Sequence, residues 1–207
     1  MRTGDLRVLG GVCLLVFAAA CGEDGIDSNE AARRCYLGLD PSIPQSLQLG
    51  FDGFNSASSA NIAPQMTAGA ATGSLTITGQ VDQGASDNKG MRLYVGMVDY
   101  SAGPFTVVVN EDEEVEVNLT YATSDVQVEQ PYLHLSLRNI PNGTFTGELT
   151  GTYRVRGDLE ADVTLDLMMT GNLMDAGGGM VGRVPGSTTI TGTATSGDGL
   201  YDVSLTL

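Results

Sequence analysis

Between Thr144 and Thr170 the chain alternates so regularly that a β-hairpin is the one local structure that fits. Phe145, Gly147, Leu149, Gly151, Tyr153 and Val155 fall on one face, and Thr146, Glu148, Thr150, Thr152 and Arg154 on the other. Beyond Arg156-Gly157-Asp158 the pattern resumes, with Leu159, Ala161, Val163, Leu165, Leu167 and Met169 opposing Glu160, Asp162, Thr164 and Asp166. A helix would repeat its apolar residues every three or four positions instead. A two-residue loop would set Arg156 against the apolar Leu159. A three-residue loop pairs Val155 with Leu159, Tyr153 with Ala161 and Leu149 with Leu165, matching face to face. That register adds an Arg154–Glu160 pair on the outer face and puts Glu148 opposite Asp166. Gly151 then faces Val163 and Gly147 faces Leu167, as expected where a sheet curves.

The same reasoning yields two further hairpins. Phe105, Val107 and Val109 run into an acidic turn, and Val115, Val117, Leu119 and Tyr121 return from it. Thr188, Ile190, Gly192 and Ala194 meet Tyr201, Val203, Leu205 and Leu207 across Ser196-Gly197-Asp198-Gly199. Met91-Leu93-Val95-Met97 and Leu133-Leu135-Leu137 supply more strands, and Leu47, Leu49 and Phe51 read as the first. Asn55 to Gly73 shows no period and reads as a long loop. The expectation is an all-β fold, an antiparallel β-sandwich or curled β-barrel of about ten strands. One short N-terminal helix precedes it, Ala31 to Leu37, with a capping box at Asp27 and Glu30 and an end set by Gly38, Pro41 and Pro44. Ser74-Leu75-Thr76-Ile77-Thr78-Gly79 and Ser187-Thr188-Thr189-Ile190-Thr191-Gly192 agree at five of six positions, too little for a repeat architecture. With aromatics at 6% and no Trp, the aromatic girdles of a membrane barrel are missing.

The N-terminus is of another kind. Arg2 and Arg7 precede an uncharged run from Val8 to Ala20, too short for a bilayer span but suited to a secretory signal. It ends in Ala18-Ala19-Ala20-Cys21-Gly22, and over residues 1–21 the chain resembles bacterial lipoproteins, whose lipobox sets small residues before a Cys. The resemblance implies cleavage before Cys21, acyl chains on Cys21 as the membrane anchor, and residence in the bacterial cell envelope. Gly22, rather than Asp, after the Cys favours the outer membrane. Several acyl chains anchor stably where one does not. The expected organisation is a signal peptide at 1–20, an acidic tether and short helix at 21–40, and a single antiparallel β-domain at 41–207.

The 207 residues carry 10 Lys and Arg, 25 Asp and Glu and one His, a net charge of −15. Cleavage removes Arg2, Arg7 and Asp5, leaving 8 basic and 24 acidic residues, a net of −16. Such a surface repels phosphates, which excludes nucleic acid as a partner. Of three Cys, Cys13 leaves with the signal and Cys21 takes the lipid. Cys35 then remains alone, a small buried apolar residue or one half of an intermolecular disulfide.

No catalytic, cofactor-binding or metal-binding set is legible. Asn110 to Glu114 with Glu116 lacks the alternation of a calcium loop and reads as a solvated turn. Glu148, Asp162 and Asp166 are the only carboxylates whose placement suggests acid–base work, yet they fall on a solvated face. Ser86-Asp87-Asn88-Lys89 has the spacing of a serine nucleophile motif without its helix. Arg156-Gly157-Asp158 reads as a turn, although a hairpin tip would display that adhesive tripeptide. Asn118 and Asn142 have glycosylation spacing, relevant only in a eukaryotic secretory pathway. His134, on the polar face of its strand, lacks companions for a metal. The expectation is a non-enzymatic envelope lipoprotein whose β-domain has a structural or partner-binding role, its partner an unknown envelope protein. The alternative is a carrier of a lipid or other apolar ligand in a half-open β-barrel lined by Gly, Leu, Met and Tyr.

Overall fold

The computed structural model describes residues 25–110, 113–197 and 199–207. Two helices come first, α1 (Asn29–Leu39) and α2 (Ser42–Ser56). Twelve strands follow among the described residues: β1 (Asn61–Ala68), β2 (Thr72–Val81), β3 (Lys89–Ser101), β4 (Phe105–Asn110), β5 (Glu113–Val117), β6 (Leu119–Ala122), β7 (Tyr132–Arg138), β8 (Thr144–Gly157), β9 (Ala161–Gly177), β10 (Met180–Arg183), β11 (Thr189–Ser196) and β12 (Gly199–Thr206). Ten form one sheet in the order β1-β2-β3-β6-β8-β9-β11-β12. In it β7 shares with β6 the place between β3 and β8, and β10 follows β11 along β9. Every pairing is antiparallel, and the fold class is the one the alternation required. β4 and β5 form a separate two-stranded ribbon.

One face of the sheet is continuously apolar. Leu93, Leu133, Leu149, Leu167, Gly192 and Val203 are successive partners in a single row across six strands. The four leucines and Val203 are at most 1% exposed. The helices lie on this inner face. α1 packs against β12 and β6, while α2 packs against β1, β2, β3 and β10. Since β1 and β12 are the two edges of the sheet, the helices bridge the seam of an unclosed curl. Ala32, Cys35, Tyr36, Leu39, Ile43 and Leu47 enter the same core as the strands. Each large apolar side chain buried this way contributes about 1.5–3 kcal/mol.

Glycine makes the curl possible. Gly79 (φ +131°), Gly151 (φ +144°) and Gly192 (φ +149°) hold inward positions with positive φ. A Cβ at Gly79 would lie 2.1 Å from the Arg92 carbonyl oxygen, and one at Gly192 equally close to that of Asp166. These two glycines end the repeated hexapeptides. Gly79 presses on the strand that follows it and Gly192 on a strand that precedes it, so the likeness is one local bend used twice.

Several expectations are corrected. The helix cap is Ser28, whose hydroxyl accepts from Ala31 N at 3.1 Å, and Glu30 instead pairs with Arg33 and Arg34. Helix resumes after Asp40, so Leu47, Leu49 and Phe51 lie in α2 and not in a strand. Ile43, Leu47, Gly50, Phe51 and Phe54 form its inward stripe, at helical spacing. The supposed loop from Asn55 to Gly73 contains β1, an edge strand interrupted by a bulge between Ile62 and Gln65. The long hairpin is offset by two residues, pairing Val155 with Ala161, Tyr153 with Val163 and Leu149 with Leu167. Leu159 turns into the core at 3% exposure, and β8 stays paired to β6 through Gly157, which lengthens the connection. An offset of two preserves both faces. The C-terminal hairpin keeps its expected register, including the mutual hydrogen bonds of Thr188 and Leu207.

Candidate functional site

The outer face repeats the same register with polar residues. Arg92, His134, Glu148, Met168, Thr191 and Ser204 are successive partners across it. His134 thus sits between Arg92 and Glu148, a neighbourhood that one strand's alternation does not reveal. Glu148 opposes Met168, Asp166 opposes Thr150, and Asp162 pairs with Arg154 at 3.5 Å. The expected Glu148–Asp166 juxtaposition is therefore not formed, because the register moved by two. The expected Arg154–Glu160 pair is replaced by Arg156–Glu160 at 2.9 Å.

The other sequence candidates are placed as follows. Cys21 lies outside the described residues, as do Glu111, Asp112 and Asp198. Cys35 is fully buried in α1, and burial pushes its thiol up to about 12. An intermolecular disulfide has no access there. Asp158 is engaged locally, its carboxylate accepting from Asn118 N at 2.7 Å, so the Arg-Gly-Asp stretch folds back on the β6 entry. Lys89 is 6% exposed, with its ammonium 4.6 Å from the Phe54 ring centre and donating to Gly84 O at 2.5 Å. It is a packing residue and not a partner for Ser86. Among the described residues no group of three or more His, Cys, Asp or Glu is set to hold a metal. Of the methionines offered as pocket lining, Met91, Met97 and Met169 are core residues, while Met66, Met168, Met174 and Met180 are exposed. The inner face, where a carried ligand would lie, is occupied by α1 and α2.

Concavity appears instead on the outer face, beside the connection between β6 and β7. Residues 123–131 leave the sheet, cross over β3 and return, with a single 3-10 turn at Gln127–Glu129. Thr123 exchanges hydrogen bonds with Met97, and Val95 N donates to Pro131 O at 2.8 Å. Gly96 makes room beneath this strap, for a Cβ there would lie 2.8 Å from the Gln130 amide nitrogen. Ser124 stiffens it by donating to Glu129 at 2.8 Å and accepting from Val126 N at 3.1 Å.

A cleft of about 420 Å³ lies on one side, with Ser124, Glu129, Thr152, Arg154 and Asp162 in its wall. On the other side a cleft of about 520 Å³ is lined by Asn61, Gln80, Arg92, Tyr94, Gln127 and Tyr132, among others. Tyr94 and Tyr132 are direct cross-strand partners, their ring centres 5.4 Å apart and their planes at 59°. One wall is a rail of hydrogen bonds. Gln80 donates to Asn61 at 2.9 Å and accepts from Arg92 at 3.5 Å, and Arg92 donates to Asp82 at 2.7 Å. The Arg92 hydrogen bond holds the Asp82 carboxyl below its ordinary value. Gln127 reaches from the strap to the Thr78 hydroxyl and fixes the opposite wall.

Asp162, in the wall of the first cleft, is one of the carboxylates singled out in the sequence, but none of the residues lining the second stood out there as a site. The available signal was an aromatic at an outward position of an otherwise apolar alternation, which both Tyr94 and Tyr132 satisfy. Comparison with protein-family models, curated proteins and solved structures finds no match to the chain.

Proposed function

We propose that the protein is a lipid-anchored module of the bacterial envelope, held to a membrane through acyl chains on Cys21. Its β-domain binds a partner through its outer face and performs no chemistry of its own. The observation that carries this reading is Ala18-Ala19-Ala20-Cys21 standing immediately before the fold. Ile26 is already seated in the core at 4% exposure. Only Gly22 to Gly25 then separate the lipidated residue from the domain, and five residue steps reach at most about 18 Å. A domain on so short a tether works within reach of the membrane surface, and its net negative charge turns it away from anionic head groups.

The test is metabolic labelling of the full chain and a Cys21→Ser variant with radioactive palmitate in a bacterial host, followed by membrane fractionation. Label and membrane residence should both vanish in the variant. An unlabelled, soluble product from the unsubstituted chain overturns the reading.

A further inference from the structure

We propose that the cleft walled by Tyr94, Tyr132, Gln80, Asn61, Arg92 and Gln127 binds a short stretch of uncharged carbohydrate. The inference deepens the partner-binding part of the proposed function and rests on it for its biological setting. A pyranose ring has two chemical aspects: C–H groups on its faces, and hydroxyls around its rim that donate and accept together. The two tyrosines meet the first aspect, because a phenol ring is a broad apolar plate that costs little conformational freedom to order. The amides of Asn61, Gln80 and Gln127 meet the second, since each carries both a donor group and an acceptor. These amides are held in place beforehand. Asn61 and Gln80 are fixed to each other and to Arg92, and Gln127 to Thr78. Small-molecule sites are mostly formed in advance, and about 520 Å³ lies within their usual size range.

Charge selects the kind of saccharide. Arg92 is the cation in the wall, and it is already matched by Asp82 at 2.7 Å. The cleft therefore offers no free positive charge, and the chain around it carries a net −15. Anionic polymers are disfavoured, while neutral ones pay no such penalty. A peptide ligand is a poorer match. Proline-rich segments need a row of aromatic slots, and the single tilted pair here makes one platform. Strand addition needs a free straight edge, and β1 beside the cleft carries Pro64 and a bulge.

The experiment is an NMR titration of the full chain carrying Cys21→Ser, with cellotetraose and chitotetraose as probes and a proline-rich decapeptide as the competing class. Because that variant carries no lipid, the outcome is independent of the anchoring test. At least one sugar should give saturable shifts centred on Tyr94, Tyr132 and Gln127. Tyr132→Ala should weaken binding at least about ten-fold. Gln127→Ala, at an exposed position where folding is not at risk, should weaken it about three-fold or more. Leu200→Ala, exposed elsewhere, should leave it unchanged. The inference is overturned by no saturable shift with either sugar at about 10 mM. Saturation mapping outside this cleft, or by the peptide alone, overturns it equally.

Discussion

At the scale of single residues, the interior holds acids that burial keeps protonated. Cys35, Tyr36, Tyr121 and Tyr153 are at most 1% exposed. Burial raises each of them, Cys35 from 9.0 to about 12. Raised folded-state values mean that stability is complete below the unfolded value and is lost as pH climbs towards the folded one. For Cys35 that window runs from 9.0 to about 12. For the tyrosines it opens only at 10.0, and within its own window each such group removes about 1.4 kcal/mol per pH unit. Urea midpoints should therefore stay level from neutrality to pH 9 and then fall steeply, and a flat profile to pH 11 would refute the assignment. In the folded protein at pH 8, Cys35 should resist iodoacetamide and react only after denaturant is added. The sequence already suggested a buried Cys35. It set Tyr121 and Tyr153 on apolar faces without showing them fully covered, because alternation tells which face a residue takes but not what lies above that face. Asp82 titrates in the other sense: Arg92→Ala should raise its carboxyl towards 3.8, visible by carbon NMR, with little change in stability for so exposed a pair.

At the scale of elements, legibility followed the strength of the period. β8, β9, β11 and β12 announce themselves through runs of alternation longer than any helix tolerates. α2 did not, because Leu47, Leu49 and Phe51 imitate a strand while Gly50 and Gly53 occupy its inward turns. Those glycines exist for the sheet and not for the helix. A Cβ at Gly53 would lie 2.9 Å from Cβ of Ile62 in β1, whereas one at Gly50 would meet the mobile sulfur of Met91 at 2.8 Å. Glycine to alanine inside a helix ordinarily stabilises by about 1 kcal/mol. Here Gly53→Ala should instead destabilise by about 1–3 kcal/mol, since the edge strand must move away. Gly50→Ala should fall near zero, propensity offsetting a small shift of Met91. Thermal denaturation of the two variants compares them directly, and equal gains from both would show that α2 and β1 are not closely packed. The cleft was illegible for a related reason. Its strap, 123–131, has no period, and its tyrosines meet only through the pairing of β3 with β7, 38 residues apart.

At the scale of the whole molecule, a curled sheet with unpaired edges needs something to hold its seam. The helices fill it with apolar contacts, which are non-directional, and polar contacts to the strands set their position. Tyr121 donates to Cys35 O at 2.7 Å, Tyr100 to Gln45 at 3.0 Å and Asp202 N to Asn29 at 2.9 Å. The strongest of these contacts is a charged clamp. Asp40, at the junction of α1 and α2, receives both terminal nitrogens of Arg183 in β10, at 2.9 and 2.5 Å. Tyr36 donates to the same carboxylate at 2.9 Å. Both side chains of the ion pair are 14% exposed, so water screens the contact little. Such a fork-to-fork pair fixes orientation as well as distance. Removing one partner strands the other in a largely dry site, and breaking a buried pair costs about 3–5 kcal/mol when burial is complete. Asp40→Ala and Arg183→Ala should each destabilise by about 2–4 kcal/mol at this incomplete burial. The double variant should fall short of the sum by at least about 1 kcal/mol, because the second loss removes a charge already unpaired. Arg183→Lys should recover little, since an ammonium cannot repeat the two-point contact. Urea denaturation of the four proteins measures this cycle. Additivity within about 0.5 kcal/mol would mean that the Asp40–Arg183 pair does not help to place the helices.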